Sequence, residues 1–214
     1  MLLDIHTHHL SDHPATALWS GCMKDRNAAE IHHAEWISVG IHPWHLLPDN
    51  LNEQLDWLES VITTDRRVLA VGEAGLDRLC QTPFKLQLKA FRIIIELSER
   101  YRLPLIIHAV KAFNEIIALN KEIRPFQPWI IHGFRGKKEL AGSLLRQDFH
   151  LSVGEKFNTE AVKTIPSEHL LAETDESLAD ISDIIGRMAE VRDESVDSLR
   201  TRLCLNAERL FFHR

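Results

Sequence analysis

Short apolar runs alternate along this chain with longer stretches whose apolar residues recur at helical spacing. The runs are Leu2–His6, Ala17–Gly21, Trp36–Ile41, Val68–Gly72, Leu105–His108, Trp129–His132, His150–Val153 and Leu170–Ala172, each about as long as a strand. The amphipathic stretches are Leu51–Thr63, Pro83–Tyr101, Ala112–Ile123, Lys137–Gln147, Asn158–Ile165, Ile181–Glu190 and Ser195–Phe211. Strands that alternate with helices predict a parallel sheet with helices outside it. Eight such runs predict an α/β fold, a (β/α)8 TIM-type barrel, as a single domain over residues 1–214. The interval His9–Glu35 has room for one short strand but not for two full helices as well. The barrel is therefore expected to be abbreviated in its first βα units, with His9–Thr16, which holds Asp12 and Pro14, as loop in place of a helix. The alternative is an open doubly wound sheet, but no Gly-rich dinucleotide fingerprint follows the first strand.

Composition narrows the setting. A chain of 214 residues can bury a sizeable core. No apolar stretch approaches the roughly 20 residues that span a bilayer. The start lacks a basic segment followed by an apolar one, so a cytoplasmic location is expected, with no membrane and no obligate protein partner. Cys22, Cys80 and Cys204 are an odd count with no CxxC pair, and they read as free thiols in a reducing compartment. The net charge of −6 argues against tight non-specific binding to nucleic acid. It leaves room for a nuclease, because metal ions in a cleft supply a local positive field. The 13 histidines, the commonest metal ligands, invite a metal reading.

The chemistry collects at the ends of the apolar runs. If Leu2 to His8 is a strand, Asp4, His6 and His8 share a face, and two imidazoles at its end make half a metal site. His42 follows the third run, Glu73 the fourth, His108 closes the fifth, His132 the sixth, and Asp175 lies beyond the last. A barrel brings these positions to one rim, where active sites of this fold sit. Four histidines (His6, His8, His108, His132) and two carboxylates (Glu73, Asp175) suit two divalent cations, one carboxylate bridging them. Asp4 reads as a hydrogen-bonding anchor beneath such a site, and Asp77 either as a partner that orients a ligand or as a turn residue. His45 reads as a loop residue and His32-His33 as a surface pair. His9, His13, His150, His169 and His213 read as structural or exposed, and Trp19, Trp57 and Trp129 as core. Arg135, Lys137 and Lys138 read as a solvated helix start or as a phosphate-binding edge.

The order and context of these motifs resemble the TatD-like metal-dependent hydrolases of the amidohydrolase-like barrel superfamily. The resemblance rests on Asp4-Ile5-His6-Thr7-His8, Gly40-Ile41-His42-Pro43, Gly72-Glu73-Ala74-Gly75-Leu76-Asp77, Ile107-His108, Ile131-His132-Gly133-Phe134 with Gly136, Glu173-Thr174-Asp175 and Asn206-Ala207-Glu208-Arg209-Leu210-Phe211. It implies that His6 and His8, together with Asp175, hold a first metal. Glu73 would bridge to a second, held by His108 and His132. It also implies that Asp175 is the general base and that His42 faces the substrate. The implied cofactors are two divalent ions among Zn²⁺, Mn²⁺, Mg²⁺, Co²⁺, Ni²⁺ and Fe²⁺. The implied activity is that of a deoxyribonuclease or phosphodiesterase, with DNA or a small phosphodiester or ester as substrate.

The chain departs from the family pattern near the rim and keeps the ligands. Val110, followed by Lys111, stands where the family usually has Arg, and Arg135 where a small polar residue is usual. Glu176-Ser177 replaces a Pro-containing loop, and Trp44 stands where many relatives have a second histidine. These changes bear on the substrate. A site of this kind also serves amide, ester or lactone hydrolysis on a small molecule, and a barrel can persist without catalysis.

Overall fold

A computed structural model describes residues 1–46 and 48–212; His213 lies outside the described residues. The chain lays down strands β1 (Asp4–Thr7), β2 (Ala17–Cys22), β3 (Trp36–Gly40), β4 (Val68–Asp77), β5 (Leu105–Val110), β6 (Trp129–Ile131), β7 (His150–Val153) and β8 (Leu170–Ala172). Neighbours in sequence pair in parallel, and β1 pairs with β8, so the sheet closes into a barrel in the order β1 to β8. The helices are α1 (Ala29–His33), α2 (Leu51–Thr64), α3 (Phe84–Tyr101), α4 (Phe113–Ile123), α5 (Lys138–Leu145), α6 (Thr159–Thr164), α7 (Ile181–Arg192) and α8 (Val196–Phe211). Among the described residues no helix is long and apolar enough to cross a membrane.

The early barrel is abbreviated. Only a 3₁₀ turn, Pro14–Thr16, stands between β1 and β2, and the five-residue α1 is the one α-helix between β2 and β3. His32 and His33 end α1 exposed, as a surface pair should.

Period-two alternation explains how the barrel carries a polar rim on an apolar base. Ile106, Ile130 and Leu171 lie two residues before His108, His132 and Glu173, so they stack one layer beneath them. They are fully buried in one cluster with Leu18 and Ala70, which α8 extends with Ala207, Leu210 and Phe211. The odd-numbered neighbours Ile107 and Ile131 join the larger core between sheet and helices. Trp129 belongs to that core and Trp57 packs against it, as expected; Trp19 is buried but also lines the cleft over the rim.

Candidate metal centre

Six strand ends fall one or more residues from the sequence-based expectation, β5 for one running past His108 to Val110, and those of β4 and β1 matter most for the site. The run Val68–Gly72 does not stop at Gly72: β4 continues to Asp77, with a register shift against β5 between Val71 and Ala74. Glycine makes this possible. Gly72 and Gly75 sit at φ +142° and +154°, where side chains are strained, and a Cβ on Gly75 would run into the His108 carbonyl. Glu73 therefore projects from inside a strand, which holds it more firmly than a loop would. Likewise β1 ends at Thr7, and Asp4 does not share a target with the histidines. His6 and His8 face Glu73, while Asp4 accepts from the Thr174 backbone N–H at 3.0 Å and its hydroxyl at 2.6 Å.

Glu73 is the centre of the rim. Its Oε1 lies 2.6 Å from His108 Nδ1, 2.6 Å from His132 Nε2 and 3.3 Å from His42 Nε2. Its Oε2 lies 3.6 Å from His6 Nε2 and 3.7 Å from His8 Nε2. Asp175 Oδ1 stands 3.8 Å from both of those Nε2 atoms. The Asp175 backbone is pinned to β1: its N–H donates to the His6 carbonyl at 2.9 Å, and its carbonyl accepts from His8 N–H at 3.1 Å. Its φ of +56° is one that Asp tolerates better than most residues. All six predicted ligands, with His42, thus converge.

The donor set fits divalent cations. His6 is fully buried, and neither of its ring nitrogens has a hydrogen-bond partner. Such an orphan costs free energy unless something else takes its lone pair. Its Nε2 opens toward ligand-type groupings, His6–His8–Asp175 and His6–Glu73–His132, and His42–Glu73–His108 forms another. His108 Nδ1 and His132 Nε2 are 3.4 Å apart and both face Glu73.

Charge within the cluster is tightly coupled. Burial works to raise the Glu73 carboxyl, but the His132 charge and hydrogen bonds from His108, His132 and His42 outweigh it and hold Glu73 well below the carboxylate range. His132 shifts the other way: burial lowers it, while Glu73 and Glu173 carry it well above an ordinary histidine. Burial, then the charge of His132, lowers His6. Burial also lowers His42. At His8 burial is outweighed by the carboxylates of Glu73, Glu176 and Asp175, and the net shift is upward. A cation binding to these groups competes with protons for them. Beneath the cluster, burial pushes Asp4 up to about 7 despite its bonds to Thr174.

His108 and His132 each have a carboxylate behind the ring, whereas His6 has none. Asp77 Oδ2 lies 3.5 Å from His108 Nε2 and accepts from the Trp44 indole N–H at 2.6 Å, while its Oδ1 accepts from Leu79 N–H at 2.7 Å. Asp77 thus bonds within its own turn and also stands beside the far nitrogen of His108. Sequence reasoning gave Glu173 no role. It is fully buried, its Oε1 lies 3.4 Å from His132 Nδ1, and it accepts from Gly133 N–H at 2.6 Å. The available signal was an acidic residue closing the apolar run Leu170-Leu171-Ala172. His45, read as a loop residue, lines the cleft with its ring centroid 5.6 Å from that of His42. Elsewhere His9 and His13 are exposed, and His150 and His169 stack on each other far along the chain. Arg135, Lys137 and Lys138 are exposed at the start of α5.

The cluster floors a cleft of about 500 Å³. Its mouth lies over β2 and β3, with Trp44 63% exposed at the lip.

A closed parallel barrel whose rim gathers imidazoles around a buried carboxylate is the hallmark of metal-dependent hydrolases built on this fold. Comparison with known proteins bears this out and narrows it. The chain belongs to the TatD related DNase family, whose model matches residues 23–212. It is 28% identical to the uncharacterized metal-dependent hydrolase YabD of Bacillus subtilis, across 82% of this chain and 77% of that one. It is 26% identical to the 3'-5' ssDNA/RNA exonuclease TatD of Erwinia amylovora, across 82% of this chain and 78% of that one. The crystal structure of YjjV, a TatD homolog from Escherichia coli, superposes with a TM-score of 0.84 at 20% identity, covering 98% and 97% of the two chains.

Proposed function

We propose that this protein hydrolyses phosphodiester bonds in DNA, with His6, His8 and Asp175 holding one divalent cation, His108 and His132 a second, and Glu73 bridging the pair. The observation that carries the reading is the placement of Glu73, whose two oxygens divide the imidazoles into His108 and His132 on one side and His6 and His8 on the other. When bound, divalent cations neutralise the scissile phosphate and acidify water. The chain's own residues do the rest. Asp175 reaches the cluster from the β8 side with one carboxylate oxygen near His6 and His8, and it is the group that takes the proton from the attacking water. His42, on the cleft wall 3.3 Å from Glu73, faces the substrate. Asp77 and Glu173 fix the rings of His108 and His132 through their far nitrogens. The relative from Erwinia amylovora is named for ssDNA and RNA exonuclease action, and Schizosaccharomyces pombe has a relative named deoxyribonuclease Tat-D, which favours nucleic acid as the substrate class. The three free cysteines suit a reducing, cytoplasmic setting.

The test is a hydrolysis screen on protein stripped of metal and reloaded separately with Zn²⁺, Mn²⁺, Mg²⁺, Co²⁺, Ni²⁺ or Fe²⁺. Bis(p-nitrophenyl) phosphate and single-stranded DNA should turn over with at least one ion and stop on chelation. Turnover of ester or lactone substrates alone would reject the phosphodiester reading. Elemental analysis showing no metal uptake after reloading would reject the metal assignment.

A further inference from the structure

Lys111, just after β5, lines a separate cavity with Arg78 and Glu115. Arg135 and Lys156 line a smaller hollow of about 200 Å³ on the other side of Asp175. The cleft that contains the cluster has one Lys or Arg among its described lining residues, Lys24. It comes from the opposite wall, in the 3₁₀ turn Met23–Asp25 that follows β2.

Lys24 is exposed, and its ammonium is held at one point. Its ammonium donates to His45 Nε2 at 3.2 Å, which leaves His45 Nδ1 to carry a proton toward Cys22 Sγ, 3.7 Å away. Cys22 in turn donates to Asp25 Oδ2 at 3.2 Å. Asp25 is thus engaged by Cys22, and no ion pair ties Lys24 to a carboxylate among the described residues. An ammonium has three donors, and His45 uses one. From Lys24 the path to the cluster is short: His45 is next to His42, and His42 reaches Glu73. The exposed Trp44 indole lines the same cleft and offers a ring face on which a base can stack.

We infer that Lys24 binds a second phosphate of the substrate, the one neighbouring the scissile phosphodiester. The inference rests on the phosphodiester reading above and sharpens it: the preferred substrate is a nucleic acid strand rather than an isolated diester.

Two measurements on the metal-loaded protein decide it. The first is the ratio of kcat/KM for a single-stranded oligonucleotide to that for bis(p-nitrophenyl) phosphate, which has no second phosphate. Lys24→Ala should lower this ratio about tenfold, through KM for the oligonucleotide. It should also reduce the slope of log KM against log salt by about one. Lys24→Arg should restore most of the ratio. The second is calorimetric titration with thymidine 3',5'-bisphosphate and with thymidine 5'-monophosphate. Wild type should prefer the bisphosphate, and Lys24→Ala should abolish that preference. A ratio and a preference that stay within twofold of wild type would overturn the inference. So would the same loss produced by Lys111→Ala or Arg135→Ala in place of Lys24→Ala. If wild type cleaves neither phosphodiester, the hydrolase reading fails by itself, and the titration still decides whether Lys24 holds a phosphate.

Discussion

The two halves of the barrel are built to different standards. From β4 onward each strand is followed by an α-helix, whereas β1 leads only to a 3₁₀ turn and β2 to a 3₁₀ turn and the five-residue α1. Glu73, His108 and His132 come from the complete half, Glu73 within β4, His108 within β5 and His132 just after β6, and both imidazoles reach Glu73. Lys24, His42, Trp44 and His45 come from turns after β2 and β3, and they line the open side of the cleft. The cleft opens over the turns after β2 and β3, and a substrate can enter there.

The largest expected effect is at the seam that joins the halves. Asp175→Asn should lower turnover by about 10²–10⁴ while fold and most metal content survive, because the amide still offers an oxygen but cannot take the proton. Glu73→Ala should instead lower metal content. Turnover and elemental analysis on both variants beside wild type make the comparison, and near-normal turnover of Asp175→Asn at full metal content would remove its role as base.

Acid should strike the complete half through its floor. Burial, then the charges of His169 and Arg209, lowers His150 to about 4, with Asp148 pulling weakly the other way. Above the ordinary histidine value of about 6.5 the ring is neutral in both states and contributes nothing. Between about 6.5 and 4 the unfolded chain takes a proton that the native chain refuses, so stability falls as pH falls, by about 3 kcal/mol in total. Urea unfolding of wild type and His150→Leu at pH 7 and pH 4.5 should show a smaller acid loss in the variant.

Glu173→Gln tests the support of the complete half directly. Removing the negative charge behind His132 should weaken metal binding about 10–100-fold, read by competition with a chromophoric chelator. An unchanged affinity would mean that Glu173 serves only the Gly133 turn. The smallest effect belongs to the bond that Trp44 of the open half gives to Asp77 of the other. Trp44→Phe keeps the ring but loses the N–H that Asp77 accepts, worth about 1 kcal/mol, so metal affinity should drop about fivefold.

Much of this was legible in the sequence because the signals are local. Apolar runs marked the strands, and β7 and β8 span the same residues as the runs that predicted them. The ligand-type residues stood at the run ends, so a barrel order sufficed to gather them. The unreadable parts depend on contacts made across the chain. Nothing near Gly72 says that β4 resumes after a glycine-relaxed shift and holds Glu73 mid-strand. Nothing near Glu173 says that its partner is the imidazole of His132. The pairing of Lys24 with His45 crosses 21 positions and depends on how β2 and β3 set their turns side by side.

The closure between β1 and β8 has a kinetic meaning. Asp4 and Thr174, 170 positions apart, hold each other beneath the rim, and the Thr7–Asp175 bridge is laid over them. Contacts of such sequence separation are costly to form, because a loop of nearly the whole chain must close first. Until β1 and β8 meet, Asp175 is not held beside His6 and His8, so the contact that closes the barrel also completes the cluster.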